Sequence, residues 1–597
     1  MEASTAATDA PSTGSKTIAD LAARAAERFG DAVAVRVKHD GAWQDVTYAE
    51  VGVVVSEIGR GLIDLGIEAG DRVCILAGTR PEWTYCDFAT AAAGAVVVPI
   101  YQTNSPEECE WVVGNSGARA VICEDAAQLR KILAVRDRLP ALEHLVVMEA
   151  GEDTPEAVAL DDLRARGRNR AEDELRARTG AVGPDDPFTF IYTSGTTGPP
   201  KGCVLTHGNY RSVLDMVLRV GEIRRGEVVY LYLPLAHSYA LLIQLLSFDL
   251  GNTIAYWSGD TKQIIPELTE VHPTYLPSVP RIFEKIYTLV TAQADPEQLR
   301  QAVQVGMKVR DLEVRGEPIP DELQAAYAKA DEALFARVRA AFGGRLRQAV
   351  TGAAPIAREI LEFFYACGTP VLEGYGMTET ATVATTSTVG DHKFGTVGRP
   401  LPGVEIRIAD DGEVLIRGGN IFQGYYKDAE KSFGAIEDGW LHTGDLGSLD
   451  EDGYLRITGR KKDIIITAGG KNITPANLEN ELKQSRWISQ AVMHGDRRPY
   501  PVALITLDEE EIVPWAEQRG LPTDLAMLAK EPQVVALVRD VVDQVNAHFA
   551  QVEQIKRFAI LDHDLSQETG ELTPTLKVKR NVVAEKYGDL FASLYAA

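Results

Sequence analysis

The six cysteines, Cys74, Cys86, Cys109, Cys123, Cys203 and Cys367, include no C-x-x-C pair. Thiols scattered in this way give neither a zinc site nor a disulfide framework, and they suit a reducing cytoplasm. Long apolar runs are missing as well. No stretch approaches the roughly 18 apolar residues of a membrane span, and residues 91–100, the longest apolar stretch, read as a helix end followed by a strand. The first 16 residues are small and polar. They lack the apolar core of a signal peptide, so none is expected. Basic surplus is absent too. A formal net charge of -25 argues against a nucleic-acid surface, which needs a basic face to release counterions. It also argues against electrostatic docking on anionic lipid, while leaving room for a peripheral apolar contact.

What is present is an ordinary globular composition, 45% hydrophobic and 25% charged, in a chain of 597 residues, too long for one core. Two or more domains are therefore expected, with a cytoplasmic location and no internal repeat. Residues 1–15, rich in Ser, Thr and Ala, are expected to be a disordered tail. Beyond them, helix and strand patterns alternate. A strand over 188–192 feeds a Gly/Thr loop. Tyr210, Val213, Leu214, Val217 and Leu218 then recur at helical spacing. Residues 228–233 read as a strand, and 281–289 and 297–310 as helices. Over 321–342, Leu323, Tyr327, Leu334, Val338 and Phe342 fall on one stripe of a helix that Gly343-Gly344 stops.

Strand 346–350, loop 351–355, helix 356–367, strand 370–372 and loop 373–376 follow. That order is a βαβ unit, so both loops fall at the carboxyl edge of a parallel sheet, where open α/β sheets bind ligands. After about residue 390, short strands and Gly turns such as Asp411-Gly412 and Asp452-Gly453 predict hairpins. The basic segment Gly459-Arg460-Lys461-Lys462-Asp463 precedes a final α+β region in which Thr474-Pro475 opens a helix.

The chemistry-bearing motifs begin with Tyr192-Thr-Ser-Gly-Thr-Thr-Gly-Pro-Pro-Lys-Gly202. Gly195, Gly198 and Gly202 let the backbone approach an anion. Thr193, Ser194, Thr196 and Thr197 add hydroxyls, and Lys201 adds charge. It is not a Walker A loop, because Gly202 stands where Ser or Thr would hold magnesium. Taken alone, such a loop serves equally well as a polar turn. Its spelling resembles the adenylate-forming superfamily of AMP-binding enzymes, which includes acyl-CoA synthetases, adenylation domains and luciferases, and the likeness continues in order. Leu233-Pro-Leu-Ala-His237 resembles the motif beside the acid. Thr351-Gly352-Ala353-Ala354-Pro355 resembles the adenine-flanking loop. Glu373 with Gly374-Tyr375-Gly376-Met377-Thr378-Glu379-Thr380 resembles the nucleotide and magnesium motif. Trp440-Leu-His-Thr-Gly-Asp445 resembles the ribose motif, residues 459–475 the hinge and thiol channel, and Pro574-Thr-Leu-Lys577-Val-Lys-Arg580 the C-terminal lysine motif. The tail motif and residues 279–287 look like the long-chain branch.

The resemblance implies a large N-terminal α/β domain with layered sheets over residues 16–458, a hinge at 459–463 pivoting on Lys462, and a small mobile α+β lid over 464–597. It implies ATP, Mg2+ and coenzyme A, with a fatty acid as the acid substrate. Lys577, His237, Thr378 and Glu379 are the expected catalytic residues, and Glu379 the metal ligand. Asp445 and Arg460 are expected on the ribose, and Gly469-Gly470-Lys471 along the CoA channel. Each has a plainer reading: Glu379 a helix-start acid, Tyr375 a core aromatic, Asp445 a turn residue, Arg460 a solvated charge, His237 a packed imidazole. Lys579 competes with Lys577. Ligation of another acid, transfer of an acyl-adenylate to a carrier protein, and non-catalytic nucleotide sensing stay open as alternatives.

Overall fold

The computed structural model describes residues 12–193, 199–291, 294–573 and 577–596. Among them, two large sheets of nine and eight strands dominate the N-terminal part. Strands Val228–Leu231, Tyr275–Ser278, Gln348–Thr351 and Val371–Tyr375 run parallel in the first sheet, in the spatial order of that sequence. Their carboxyl ends therefore share one edge, as the βαβ reading requires. Helix Arg358–Ala366 is the crossover between the last two.

The main core lies among helices packed with both sheets. Helix Ser238–Leu250 shows why: twelve of its residues are buried, so it is covered all round rather than on one stripe. Phe248 meets the rings of Tyr48 at 5.3 Å and Phe88 at 4.7 Å, which brings helices Tyr48–Asp64 and Pro81–Ala92 against it. Each such fully buried side chain contributes about 1.5–3 kcal/mol. A five-stranded sheet follows, built from the two expected hairpins, Glu405–Ile408 with Glu413–Arg417 and Trp440–Leu449 with Leu455–Arg460, and the short strand Ile436–Glu437.

The C-terminal part is a three-stranded sheet, Ile488–His494, Val502–Leu507 and Arg557–Ile560, covered on both faces. Ala503 and Ile505 pack with Val534 and Val538 of helix Pro532–Asn546. Val502 and Leu504, one residue out of phase, pack with Val583 and Phe591. This is the period-two alternation of a strand buried on both sides. The part touches the N-terminal body through charge: Arg281 pairs with Asp508, and Lys285 Nζ lies 2.7 Å from Glu510.

Five expectations need correction or refinement. The disordered tail does not extend to residue 15. Thr13 and Ser15 are buried, Thr13 N–H donates to Asp249 Oδ1 at 3.0 Å, and Arg211 bridges Asp249 at 2.6 Å and Ser15 Oγ at 2.8 Å. A fully buried carboxylate needs such partners, and a composition reading cannot see it; residues 1–11 lie outside the described residues. A strand, Lys201–Thr206, intervenes between the Gly/Thr loop and the next helix, so that loop closes a hairpin with Pro187–Thr193. The strand at 371 runs on through Tyr375, because Gly374 and Tyr375 pair with Thr386 and Thr385. The helix over 321–342 holds its stripe through a π-turn at Asp331–Phe335. Thr474 stands at the N-cap before Pro475, but its side chain makes no capping bond.

Candidate active site

One cavity of about 800 Å³ opens at the shared edge of the parallel strands, beneath the C-terminal part. That volume is within the range of small-molecule sites. Gly352, Ala353, Gly374, Tyr375, Gly376, Met377, Thr378 and Glu379 line it from the two loops of the βαβ unit, His237 from the preceding crossover, and Lys201 and Thr193 from the hairpin. Arg460 and Lys462 line it from the segment that links the two parts, and Lys577 and Lys579 from the C-terminal part. Residues 194–198, which include Ser194, Gly195, Thr196, Thr197 and Gly198, lie outside the described residues. Ala354, Pro355, Glu373 and Asp445 are not part of the lining, nor are Gly469, Gly470 and Lys471, though Asp445 stands directly behind Arg460.

Local chemistry explains the placements. Gly376 must be glycine, because a Cβ there would stand 2.1 Å from Thr382 O. That close approach folds the chain into the short turn Thr378–Thr380, which presents Glu379. Ala381 and Thr382 follow at φ of 44° and 96°, a left-handed strain that the tight return imposes.

Glu379 is buried, and its Oε1 accepts from Tyr425 Oη at 2.8 Å. Lys201 Nζ lies 4.7 Å from the centre of that ring. Tyr425 thus joins the lysine of the hairpin to the acid of the turn, and no motif pointed to it. Asp445 is gripped from two sides: Tyr375 Oη donates to Oδ2 at 2.7 Å, and Arg460 Nε lies 3.0 Å from Oδ1. Asp445 and Arg460 are cross-strand partners, so the hairpin before the hinge builds the pair.

His237 caps helix Ser238–Leu250, its Nδ1 accepting from Tyr239 N–H at 3.1 Å. With Nδ1 as acceptor the ring carries its proton on Nε2. Burial, with the charge of Lys577 added, pushes its pKa down to about 4, so at neutral pH it is an uncharged donor. Lys577 is held by Thr573 through two bonds: Thr573 N–H donates to Lys577 O at 2.8 Å, and Lys577 N–H to Thr573 Oγ1 at 3.0 Å. The residue is exposed to the cavity, yet its amine stands among crowding protein atoms and cations. Burial first, then Arg460, pushes it down to about 8, against the opposing pull of Asp445 and Glu379. Lys579 Nζ instead lies 3.8 Å from Glu108 at the rim. Lys462 also lines the cavity, its amine held below the usual range by burial. Glu373, outside the lining, is pushed up to about 8 by burial alone.

The cavity therefore has a polar end, with cations from both parts of the chain around one carboxylate. Beside it runs an apolar arm, lined by Val217, Ile223, Leu242, Leu246, Tyr275 and Val350. The Gly469–Lys471 loop faces elsewhere, with Lys471 Nζ 3.3 Å from Glu553.

This two-part α/β molecule thus combines a cation-rich end and an apolar lining in one cavity. The comparisons name the class. The AMP-binding enzyme family matches residues 22–426, and the AMP-binding enzyme C-terminal domain matches residues 462–597. The chain is 41% identical over 566 residues, 93% of each chain, to the long-chain-fatty-acid–CoA ligase FadD15 of Mycobacterium bovis. It is 33% identical over 625 residues to the long-chain-fatty-acid–CoA ligase ACSBG2 of Gallus gallus, covering 97% of this chain and 81% of that one. Its fold matches the anthranilate CoA ligase AuaEII, solved with anthranoyl-AMP, at a TM-score of 0.73 and 20% identity, over 97% and 98% of the two chains. The chain belongs to the AMP-binding enzyme family.

Proposed function

We propose that this protein is a long-chain fatty acid–CoA ligase that works through an acyl-adenylate. Its relatives of that name support the reading over nearly the whole chain. The single observation that carries it here is that Lys577 and His237, from the two parts of the chain, line one cavity together with Lys201, Glu379 and a set of apolar side chains.

In this reading the acid lies with its chain in the arm and its carboxylate beside His237 Nε2–H. ATP lies over the Gly374–Met377 segment, its ribose on Asp445 and its phosphates toward Lys201 and the hairpin loop. Both reacting groups are anionic. Lys577 sits where an ammonium would draw them together and offset the charge that builds as the carboxylate attacks the α-phosphate. Pyrophosphate leaves. The thiol of coenzyme A then attacks the acyl carbon and AMP departs.

Among the described residues no group of three or more His, Cys, Asp or Glu is placed to hold a metal. The residues present fit a magnesium that arrives with the nucleotide, since such ions keep several waters and take only one or two carboxylates. Glu379, with one oxygen held by Tyr425, would be its protein ligand, and the ion would neutralise phosphate charge.

Acyl length supplies the test. Each methylene seated in the arm contributes up to ~0.8 kcal/mol, so kcat/KM should climb with chain length until the arm is full, through roughly twelve to eighteen carbons. CoA-dependent AMP release over a panel of acids measures it. A preference for acetate or benzoate would remove the long-chain reading. AMP release with a carrier protein but not with CoA would move the thiol.

A further inference from the structure

Helix Pro280–Thr291 leaves the carboxyl end of strand Tyr275–Ser278, at the edge where the cavity opens, and its first turns face the C-terminal part. Arg281, Glu284 and Lys285 stand at i, i+3 and i+4, so they share one face. Each meets an opposite charge across the boundary. Arg281 pairs with Asp508, and Lys285 Nζ lies 2.7 Å from Glu510. Glu284 stands near enough to Lys483 for each to act on the other's charge. Lys262, elsewhere on the N-terminal body, adds its pull at Glu510. None of these residues lines the cavity.

Asp508 shows that the match is built in. It stands at the N-cap of helix Glu509–Glu517, where an aspartate ordinarily accepts from the first free N–H groups, yet its side chain makes no capping bond. The residue is buried, and its carboxylate turns to Arg281 instead. The helix forgoes a cap and the boundary gains an ion pair. The pattern also fixes the fit. Cation, carboxylate and cation on the body meet carboxylate, ammonium and carboxylate on the other side. A docking shifted along the helix sets like charges together, so the face favours one pose.

Resting on the acyl-ligase reading above, we infer that Arg281, Glu284 and Lys285 form a dock that holds the C-terminal part in the pose that brings Lys577 to the cavity, which makes them positioning residues for the adenylation step. They act only through where Lys577 stands. With side chains 58% exposed at Arg281 and 47% at Lys285, the two outer pairs are individually weak. The dock therefore favours the pose without locking it.

The experiment uses the full chain, palmitate and acid-dependent ATP–pyrophosphate exchange, with Arg281→Gln and Lys285→Gln combined in one variant. Exchange should fall by about three- to tenfold, the factor two partly exposed ion pairs supply. The same two changes made on top of Lys577→Ala should cost nothing further, because a dock that works through Lys577 has nothing left to position. Thioester formation from supplied acyl-adenylate and CoA should not fall. Arg281→Asp and Asp508→Arg should each lower exchange, and the two together should restore it. Thermal unfolding checks that each variant is folded.

Undiminished exchange in the folded glutamine variant would overturn the inference. So would an equal loss with and without Lys577, since the residues would then act on something other than its placement. Failure of the exchanged pair to recover, with both single variants impaired and all three folded, would overturn the pairing of Arg281 with Asp508 as the source of the effect. No exchange by the unaltered protein with any fatty acid would overturn the ligase reading and the inference with it.

Discussion

Lys577→Ala should lower acid-dependent ATP–pyrophosphate exchange by about 100- to 1000-fold, the range typical of removing one preorganised charge from a transition state. The larger domain should remain folded, because the lysine stands in a cavity-facing loop and not in a core. A supplied acyl-adenylate should still react with CoA, since that step does not bring two anions together. The pH profile adds a sign. The amine is cationic below its pKa of about 8 and neutral above it, so adenylation by the unaltered protein should decline as pH rises through that value. Lys577→Arg, if active, should lose that decline, because arginine keeps its charge. Lys462→Pro, in the turn Lys461–Asp463, is the complement: it should spare exchange and remove thioester formation by restricting the backbone of the hinge. Exchange undiminished in Lys577→Ala would return the role to Lys579, and equal loss of both half-reactions in both folded variants would mean that the C-terminal part does not alternate.

Asp87→Asn should stabilise the protein in a pH-dependent way. Asp87, on helix Pro81–Ala92, is fully buried; its Oδ2 accepts from Gln244 Nε2 at 2.8 Å, and its Oδ1 makes no hydrogen bond among the described residues. Burial pushes its pKa up to about 8, with Gln244 opposing. The unfolded chain releases this proton near pH ~4, whereas the folded chain keeps it. The folded state is therefore least burdened below that value and loses about 1.4 kcal/mol for each pH unit from there to the folded pKa, above which the cost levels off. At neutral pH this is on the order of several kcal/mol. Asparagine does not titrate and retains an acceptor for Gln244. The gain in unfolding temperature over the unaltered protein should thus be small at about pH 5 and several degrees larger at about pH 8. Parallel curves across that range would show that Asp87 is not held neutral.

Much of this architecture can be read before folding. The βαβ unit around residues 346–376 announced itself because two short apolar strands flank a helix with a clear stop, and its two loops meet at one sheet edge as expected. Motif spelling placed Lys201, Glu379, Asp445 and Arg460, and the structure brings all of them to one cavity or its wall. Pairings across long separations stayed hidden. Tyr425 reaches Glu379 only because strand Gly424–Tyr425 pairs with Cys203 and Val204, a match of isolated residues with no periodic signal. The strand Lys201–Thr206 was missed because six residues starting with Lys-Gly carry too little alternation. Nothing in a basic tail separates Lys577 from Lys579; the bonds with Thr573 do. The apolar arm draws on elements from helix His207–Val220 to strand Gln348–Thr351, so no single stretch of sequence describes it.

Helix Ser238–Leu250 joins two distant places. At about 1.5 Å per residue, its 13 residues span roughly 20 Å. His237 begins it in the cavity, Leu242 and Leu246 face the arm midway, and Asp249 near its end is held by Thr13 and Arg211. The segment around Thr13 is thus a peg at the outer end of a rod whose inner end carries the imidazole. Trimming the chain past Ser15 would leave a buried carboxylate with Arg211 but without Thr13, and loosen the outer end of that rod. The disturbance would reach the apolar arm before the cluster of Tyr375, Asp445 and Arg460, because Leu242 and Leu246 of the rod line the arm and that cluster is built on other elements. A stretch that composition alone would discard is, in this protein, tied to the same helix that carries His237.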